Sequence, residues 1–213
     1  MADPAVVYID ESLRTYIDDA ASAKPAPGGG SVSACAGALG AALVGMVCNL
    51  TLGREKYAAV EDQMQDLVGR TEAARARLQD LIQEDTTAYN GVLEAYRMPK
   101  GTEAEIAARK AAVQAGLVVA ANVPLEIGRV ALEVCRLSRI AADHGNPNAV
   151  TDAGVGVLLA EAAVVGAALN VRINLGSIED AEYVTKTAAE VETLLTQAAT
   201  LRADVLAVTN AKI

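Results

Sequence analysis

Asp85 is the residue whose chemical type fits its position in the sequence least well. It follows Leu78 and Leu81 at helical spacing, on a seam of apolar and small side chains. A carboxylate on such a seam must be paired, solvated at a cleft or raised in pKa, and each of these costs free energy. Asp85 could instead fix the register of its helix or lie where the seam opens to solvent. A role in proton transfer requires that other polar groups converge on it.

A second group of polar residues lies on a very apolar segment in the last third of the chain. Steps of three and four residues place Asp152, Asn170 and Asn174 on one helical face, which they share with the small residues Gly156 and Gly166. Such polar residues could bind a small molecule. They could also serve only as helix caps, with Asp152 in the first turn and Asn174 in the last. Both interpretations remain open at this stage.

The glycine run Pro27-Gly28-Gly29-Gly30-Ser31 precedes the predicted N-terminus of an apolar helix. Free backbone amides and the helix dipole favour an anion at such a position, and glycines let a ligand approach the backbone. The run lacks the adjacent pair of lysine and serine or threonine that a Walker loop requires, and no predicted strand precedes it, as a dinucleotide-binding fold requires. A flexible connector is the alternative interpretation.

The composition favours helices and argues against several kinds of site. The 213 residues include no Phe or Trp and only 3% aromatic residues, whereas Ala, Val and Leu are abundant. The net charge of -9 argues against a nucleic-acid partner. His144 is the only histidine, so we expect neither a histidine-rich metal site nor a Ser-His-Asp triad. Cys35, Cys48 and Cys135 lack metal-ligand spacing, and we expect reduced thiols.

Turn signals divide the chain into about six helical segments, without a long linker or repeat. We therefore predict an all-α fold, a single domain over residues 1–213 that forms a bundle of about six helices with long central amphipathic helices. Thr102 and Glu105 form a capping box that opens the fourth helix, and Pro124 should kink or end it. The predicted segments are approximately 8–21, 31–52, 60–97, the helix opened by Thr102, 149–175, and 179 to the C-terminus.

The second predicted segment, 31–52, is apolar over about the length that spans a bilayer. Polar residues at both of its ends favour a buried central helix instead, so we expect no membrane partner. The first residues do not form a basic region followed by an apolar segment. We therefore expect no export signal and a cytoplasmic location.

The residues Pro25-Ala26-Pro27-Gly28-Gly29-Gly30-Ser31 belong to a wider pattern, which includes segments 37–43, 51–57, 85–100, 122–125 and 168–174 and the residues Gly145, Asn146 and Asp152. In this combination the sequence resembles the cyclodeaminase/cyclohydrolase family of folate enzymes over most of its length. The resemblance implies an all-helical fold, a homodimer and a folate cleft close to the subunit interface. We expect no metal and no cofactor beyond the tetrahydrofolate substrate.

Members of this family carry out one of two reactions. One releases ammonia from 5-formiminotetrahydrofolate to close the methenyl ring, and the other hydrolyses 5,10-methenyltetrahydrofolate to 10-formyltetrahydrofolate. Segments 47–51 and 148–155 look most like the standalone bacterial cyclohydrolase branch, so we predict hydrolysis. Ammonia release is the first alternative. A helical interaction module that has lost the activity and binds no folate is the second.

The resemblance places the family's catalytic acid/base aspartate at Asp85. We expect Asp85 to accept a proton from water and to return it to N5 of the folate. Asn146, Asp152 and Asn170 would orient the water and the pterin. Lys56 would hold the anionic glutamate tail, because an acidic protein needs a local cation there. The backbone amides expected to receive polar groups of the folate are those of Gly28, Gly29, Gly30 and Ser31.

Overall fold

Over residues 6–213, the part of the chain that the computed structural model describes, the sequence forms six α-helices and no strand. The predicted all-α bundle is confirmed over that range. Short 3-10 helices also occur, at Tyr8–Asp10, Glu55–Val60 and Pro147–Ala149. The α-helices are α1 (Leu13–Ala20), α2 (Gly29–Asn49), α3 (Glu61–Arg97), α4 (Glu103–His144), α5 (Val150–Leu175) and α6 (Ala181–Lys212).

Small residues allow the two most apolar helices, α2 and α5, to lie in close contact. A Cβ atom on Gly40 would lie 2.8 Å from the carbonyl oxygen of Gly156, and one on Gly156 would lie 3.0 Å from Val44 Cγ2. Neither position leaves room for a side chain, so the two backbones pack against each other. Helix α4 contacts both of these helices and also packs against α3 and α6.

The amphipathic seam predicted on α3 is buried. Met64, Leu67, Leu78 and Leu81 are all at most 1% exposed. Helix α3 has 37 residues and therefore a length of ~55 Å at ~1.5 Å per residue. Asp85 continues the same seam but is only half-buried, so the seam opens to accessible space at that turn.

Pro124 lies inside α4, which continues to His144. Of the two predicted effects of this proline, a kink or an end of the helix, the end is therefore wrong. Proline has no N–H to donate to the carbonyl four residues earlier, which is that of Ala120. The side-chain Nδ2 of Asn174 on α5 donates to this carbonyl oxygen at 3.0 Å and replaces the missing bond. The capping box predicted at Thr102 and Glu105 is present at the start of the helix.

Several helix starts differ from the predicted bounds, and α6 begins at Ala181, two residues later than predicted. Helix α2 begins at Gly29, two residues earlier than predicted, with Gly28 as its N-cap residue. The glycine run is therefore the first turn of a helix and not only a connector. The first predicted segment divides at Ser12, whose hydroxyl accepts a hydrogen bond from the Thr15 N–H at 3.0 Å and caps α1.

By length and composition alone, three stretches could cross a membrane: α2, α4, and Pro147–Leu175, which contains α5. Between 44% and 56% of the most apolar part of each stretch is buried inside the protein. Much of the exposed surface of α2 and α5 is apolar. We call this apolar surface the α2/α5 face, and its residues are Val32, Leu39 and Met46 on α2 and Val155, Leu158, Val165, Leu169 and Ile173 on α5.

Candidate active site

Asp85 lies at the N-terminus of α2, although 54 residues separate it from Ser31 in the sequence. Its Oδ2 accepts a hydrogen bond from the Ser31 amide N–H at 2.9 Å. A Cβ atom on Gly30 would lie 2.6 Å from Asp85 Cγ and 2.8 Å from Oδ2, so only glycine fits beside the carboxylate. Gly28 caps α2 without a side chain, and the Asp85 carboxylate supplies the missing capping oxygen. The glycine run and the aspartate on the α3 seam therefore form one site.

The surroundings of Asp85 change its acidity. Burial raises its pKa above the ordinary aspartate value, and the hydrogen bond from the Ser31 N–H lowers the pKa by a smaller amount. The positive end of α2 also favours the ionised form. A carboxyl group with a raised pKa is suited both to accept and to return a proton, which general acid–base catalysis requires.

A cavity of about 360 Å³ opens beside this carboxylate, where α2, α3, α4 and α5 meet. Small-molecule sites in proteins usually have volumes of about 300 to 1,000 Å³. The cavity walls consist of the loop before α2, one face of α3 and the C-terminal turns of α5. Its lining includes Gly28, Gly29, Asp85, Thr86, Tyr89, Asn170, Ile173 and Asn174.

Hydrogen-bonding groups remain available beside the carboxylate. Within residues 6–213 the amide N–H groups of Gly29 and Gly30 donate to no protein acceptor. Asn170 Nδ2 donates to the Gly166 carbonyl oxygen at 2.8 Å, and its Oδ1 accepts no hydrogen bond from the same part of the chain. Gly29 lines the cavity and thus keeps an amide donor for a ligand, and Asn170 keeps an acceptor. Gly30 is buried beside Asp85 and the Ser31 N–H is taken by the carboxylate, so the predicted contacts of these two amides with the folate are not supported.

Lys56, Asn146 and Asp152 lie at the opposite end of α2 and α5. Asn146 is buried, its Oδ1 accepts a hydrogen bond from the Tyr57 hydroxyl at 2.9 Å, and its amide N–H donates to Thr51 Oγ1 at 2.8 Å. The Lys56 ammonium lies 4.8 Å from the centre of the Tyr57 ring. These contacts join the end of α2 to the turn before α5.

One chain does not bring the two groups of predicted residues together. Asp152 and Asn170 stand near opposite ends of α5, ~27 Å apart at ~1.5 Å per residue. A single subunit therefore does not place Asn146 or Asp152 beside Asp85 to orient a water, nor Lys56 beside the same cavity, because the helices hold them apart. The predicted residues that do come together are Gly28, Gly29, Gly30, Ser31, Asp85 and Asn170.

Three neighbours of this site were missing from the sequence-based prediction: Tyr16, Thr86 and Tyr89. Thr86 is 7% exposed, and its Oγ1 finds no hydrogen-bond partner in residues 6–213. The Tyr16 hydroxyl lies 3.0 Å from Ser31 Oγ, and either oxygen can donate. Thr86 and Tyr89 follow Asp85 within about one helical turn, which is a usable signal. Tyr16 gives no such signal, because it reaches the site from across a loop.

A larger cavity, of about 450 Å³, lies between α2 and α3 near Gly45 and Thr71. Its two charged side chains, Glu72 and Arg75, pair with each other on the same helix. We therefore place the site at the smaller cavity, where the partly buried Asp85 carboxylate meets free amide groups.

Residues 6–213 contain no group of three or more His, Cys, Asp or Glu side chains that could hold a metal ion. Cys35, Cys48 and Cys135 are free cysteines. Burial raises the pKa of the Cys48 thiol to about 11 and that of the Cys135 thiol to about 12, which disfavours a nucleophilic thiolate at either residue.

The chain matches known proteins over most of its length. Residues 12–193 match the family model described as formiminotransferase-cyclodeaminase. A methenyltetrahydrofolate cyclohydrolase of Methylorubrum extorquens is 41% identical, over 96% of this chain and 98% of that protein. The formimidoyltransferase-cyclodeaminase of Mus musculus is 36% identical over 95% of this chain, which spans 38% of that longer protein.

A solved structure has the same fold. The formiminotetrahydrofolate cyclodeaminase of Thermotoga maritima superposes with a TM-score of 0.85 and 31% sequence identity, over 95% of this chain and 97% of that one. The resemblance inferred from the glycine run and the segments that follow it is thus confirmed. The chain belongs to the formiminotransferase-cyclodeaminase family.

Proposed function

We propose that this protein hydrolyses 5,10-methenyltetrahydrofolate to 10-formyltetrahydrofolate, with Asp85 as general acid and base. The observation that carries the proposal is the position of the Asp85 carboxylate, half-buried at a cavity and held against the first turn of α2. The Methylorubrum extorquens relative, which is named for this reaction, is similar to the chain over nearly the whole length of both.

The substrate is a cation whose positive charge is shared by N5, the methenyl carbon and N10. Hydrolysis adds one water molecule to that carbon, breaks the bond from the carbon to N5, and releases one proton overall. The attacking water must lose a proton, and N5 must gain one as its bond breaks. One carboxyl group can perform both transfers if its pKa lies close enough to the working pH.

Asp85 suits both of these steps. Its ionised form compensates the positive charge of the substrate, and partial burial strengthens that attraction by removing competing water. The same carboxylate takes a proton from the attacking water as the new C–O bond forms. It then gives that proton to N5 as the bond from the carbon to N5 breaks, and the remaining hydroxyl proton passes to solvent. The formyl group is left on N10, and Asp85 is ionised for the next turnover.

The other groups of the cavity suit the uncharged edge of a pterin. The free N–H group of Gly29 can donate to a carbonyl or ring nitrogen, and Asn170 Oδ1 can accept from an amino group. Tyr89, 44% exposed, gives the cavity an aromatic ring on which a flat heterocycle can stack. These contacts would orient the methenyl carbon toward Asp85.

Ammonia release from 5-formiminotetrahydrofolate is the second candidate, because the Thermotoga maritima protein of the same fold is named for it. In that reaction N10 attacks the formimino carbon, and the bond from this carbon to the imino nitrogen breaks. Asp85 would take the proton from N10 and pass it to the departing nitrogen, which needs one more proton from solvent to leave as ammonia. The same carboxylate therefore serves either reaction.

Parallel assays of the purified protein with the two substrates separate these activities. Loss of the near-ultraviolet absorbance of the methenyl compound measures hydrolysis, and its appearance from the formimino compound measures ammonia release. A kcat/KM for hydrolysis at least ~10-fold the larger supports our proposal, and hydrolysis no faster than in buffer contradicts it. A protein that turns over neither substrate, and whose melting temperature a reduced folate does not raise, would be the non-catalytic helical module.

We also propose that two copies associate through the α2/α5 face. Contiguous exposed apolar surface of this kind usually marks an interaction site. Ile173, 74% exposed, belongs both to this face and to the cavity lining, so the cavity opens on the surface that a second copy would cover. A two-fold axis that sets the helices antiparallel would bring Lys56 and Asp152 of the partner subunit toward Asp85. Such a dimer would reunite the two groups of residues that one chain keeps apart.

A further inference from the structure

The glycine turn at the start of α2 is held by a residue from another helix. Tyr16 on α1 is buried, and its hydroxyl lies 3.0 Å from Ser31 Oγ. Ser31 is fully buried and makes a second hydrogen bond through its backbone, whose N–H donates to Asp85 Oδ2 at 2.9 Å. One residue thus connects the Tyr16 phenol to the Asp85 carboxylate.

This connection is important because the preceding residues have no side chains that could anchor the turn to another helix. Gly28, Gly29 and Gly30 have no side chains, and glycine loses more conformational freedom on ordering than any other residue. Ser31 carries the first side chain of α2 that a neighbour can fix. The hydrogen bond between Tyr16 and Ser31 therefore anchors the first turn of α2, which contains the Ser31 N–H, to α1.

The segment before α1 supports the same arrangement. The Tyr8 ring packs edge-to-face on Tyr16, with ring centres 5.6 Å apart and an interplanar angle of 80°. The Tyr8 hydroxyl donates to the Ala26 carbonyl oxygen at 2.8 Å, in the loop before the glycine run. The Tyr8 N–H donates to Gln83 Oε1 at 3.2 Å, two residues before Asp85 on α3. Tyr8 therefore connects the Tyr16 ring to the loop before α2 and to α3.

We propose that Tyr16 is a positioning residue for the reaction: through Ser31 it holds the first turn of α2 against the Asp85 carboxylate. This inference rests on the proposed function. Tyr16 touches neither the cavity nor the reacting atoms, so it acts only through Ser31. Loss of its hydroxyl should therefore reduce the rate of the chemical step more than it weakens substrate binding, because Tyr89 and Asn170 line the cavity independently of this turn.

The groups around Asp85 predict a second effect of this loss. Titratable neighbours are Tyr16 from α1 and Tyr89 from α3 itself, and α2 adds Cys35 beside Tyr16. Helix α4 contributes Ala120 to the cavity lining, and α5 contributes the amides of Asn170 and Asn174. Burial raises the pKa of Tyr16 to about 12, so its hydroxyl stays protonated through neutral pH. A looser Ser31 N–H would no longer lower the pKa of Asp85. The pKa of Asp85 should then rise.

Tyr16→Phe, Ser31→Ala and the double variant test the proposal, with Tyr183→Phe as the matched control. This control also removes a hydrogen bond, which the Tyr183 hydroxyl donates to Asn122 Oδ1 at 2.8 Å. Neither residue lines the cavity. We expect each of the two site variants to lower kcat ~10-fold with a smaller change in KM, and to move the acidic limb of the kcat/KM profile to higher pH. The double variant should lose no more than the worse single variant, since both remove one hydrogen bond. Tyr183→Phe should keep wild-type kinetics.

The proposal is overturned if Tyr16→Phe keeps the wild-type kcat and pH profile, or if the losses in the double variant multiply. Should Tyr16→Phe not fold, Ser31→Ala decides by the same criteria, because it removes the same hydrogen bond. A wild-type protein inactive on both folates would refute the proposed function and not this inference. The Asp85 pKa, followed by carbon-13 NMR of labelled aspartates with Asp85→Asn for assignment, then decides: an unchanged pKa in Tyr16→Phe contradicts the positioning role, and a raised one supports it.

Discussion

Gly30 and Asp85 compete for one space at the N-terminus of α2. A Cβ atom at position 30 would lie 2.6 Å from Asp85 Cγ, closer than two non-bonded carbon atoms can approach. The Asp85 carboxylate reaches the Ser31 N–H only because position 30 has no side chain. Glycine at this position is thus a requirement of the site, whatever flexibility it also gives.

Gly30→Ala should displace the Asp85 carboxylate from the Ser31 N–H. We expect overpacking to lower the free energy of unfolding by about 1–3 kcal/mol and kcat to fall by ~100-fold or more. Denaturant unfolding and steady-state kinetics measure the two effects. Gly69→Ala on α3 is the control, because its Cβ would meet nothing within 4 Å. The control should gain about 0.5–1 kcal/mol of stability and keep its activity. Equal activity in the two variants would show that the contact has no functional role.

The partnership of Gly30 with Asp85 could not be predicted from the sequence, although both residues were singled out. Asp85 stood out because a carboxylate interrupts the seam of Leu78 and Leu81 on α3. The glycine run stood out because it precedes an apolar helix. Helical periodicity describes each helix by itself, whereas the contact depends on how α3 crosses the start of α2. That crossing is fixed by tertiary packing that no single segment encodes.

The raised pKa of Asp85 predicts how stability depends on pH. Between the ordinary aspartate pKa and the raised value, the folded protein holds a proton that the unfolded chain has released. The stability contributed by protonated Asp85 is therefore present at low pH and lost as the pH rises through the folded-state pKa. We expect the free energy of unfolding of Asp85→Asn, minus that of wild type, to increase with pH across this window. Urea unfolding at a series of pH values measures the difference, and one that stays flat or decreases would contradict the raised pKa.

Thr86→Val should leave the protein as stable as wild type or stabilise it by about 1 kcal/mol. The Thr86 hydroxyl is buried without a partner in residues 6–213, whereas the neighbouring Thr87 hydroxyl donates to the Gln83 carbonyl oxygen at 3.0 Å. Thr209→Val is the matched control, because its buried hydroxyl donates to the Val205 carbonyl oxygen at 2.9 Å. Thermal unfolding compares the two variants. A similar loss of stability in both would mean that Thr86 has a partner after all.

A charge on the α2/α5 face should separate the proposed dimer. Leu169 is 61% exposed on this face, and Leu169→Lys would place an ammonium group in the apolar interface that the dimer buries. Sedimentation should give the 21.9 kDa monomer for this variant and twice that mass for wild type. Ile106→Lys, at a residue 54% exposed on α4, is the control and should remain dimeric. A wild-type protein that sediments as a monomer would contradict the proposed interface.

The separation of the predicted site residues into two groups could not be predicted from the sequence either. Steps of three and four residues correctly place Asp152 and Asn170 on the same face of α5, yet periodicity says nothing about the ~27 Å between them along the helix. Pro124 gives a similar lesson. Its local effect was predictable, but the Asn174 side chain that satisfies the Ala120 carbonyl comes from another helix. In both cases the missing information is the arrangement of one helix relative to its neighbours.

Turnover of 5,10-methenyltetrahydrofolate by Asp85→Asn tests the central claim most directly. Asparagine keeps the shape of the side chain and can still accept the Ser31 N–H, but it cannot take a proton from water. We expect this variant to fold, to gain thermal stability with a reduced folate as wild type does, and to lose ~1,000-fold or more in kcat. Hydrolysis at close to the wild-type rate would contradict the role of Asp85 as the acid and base of the reaction.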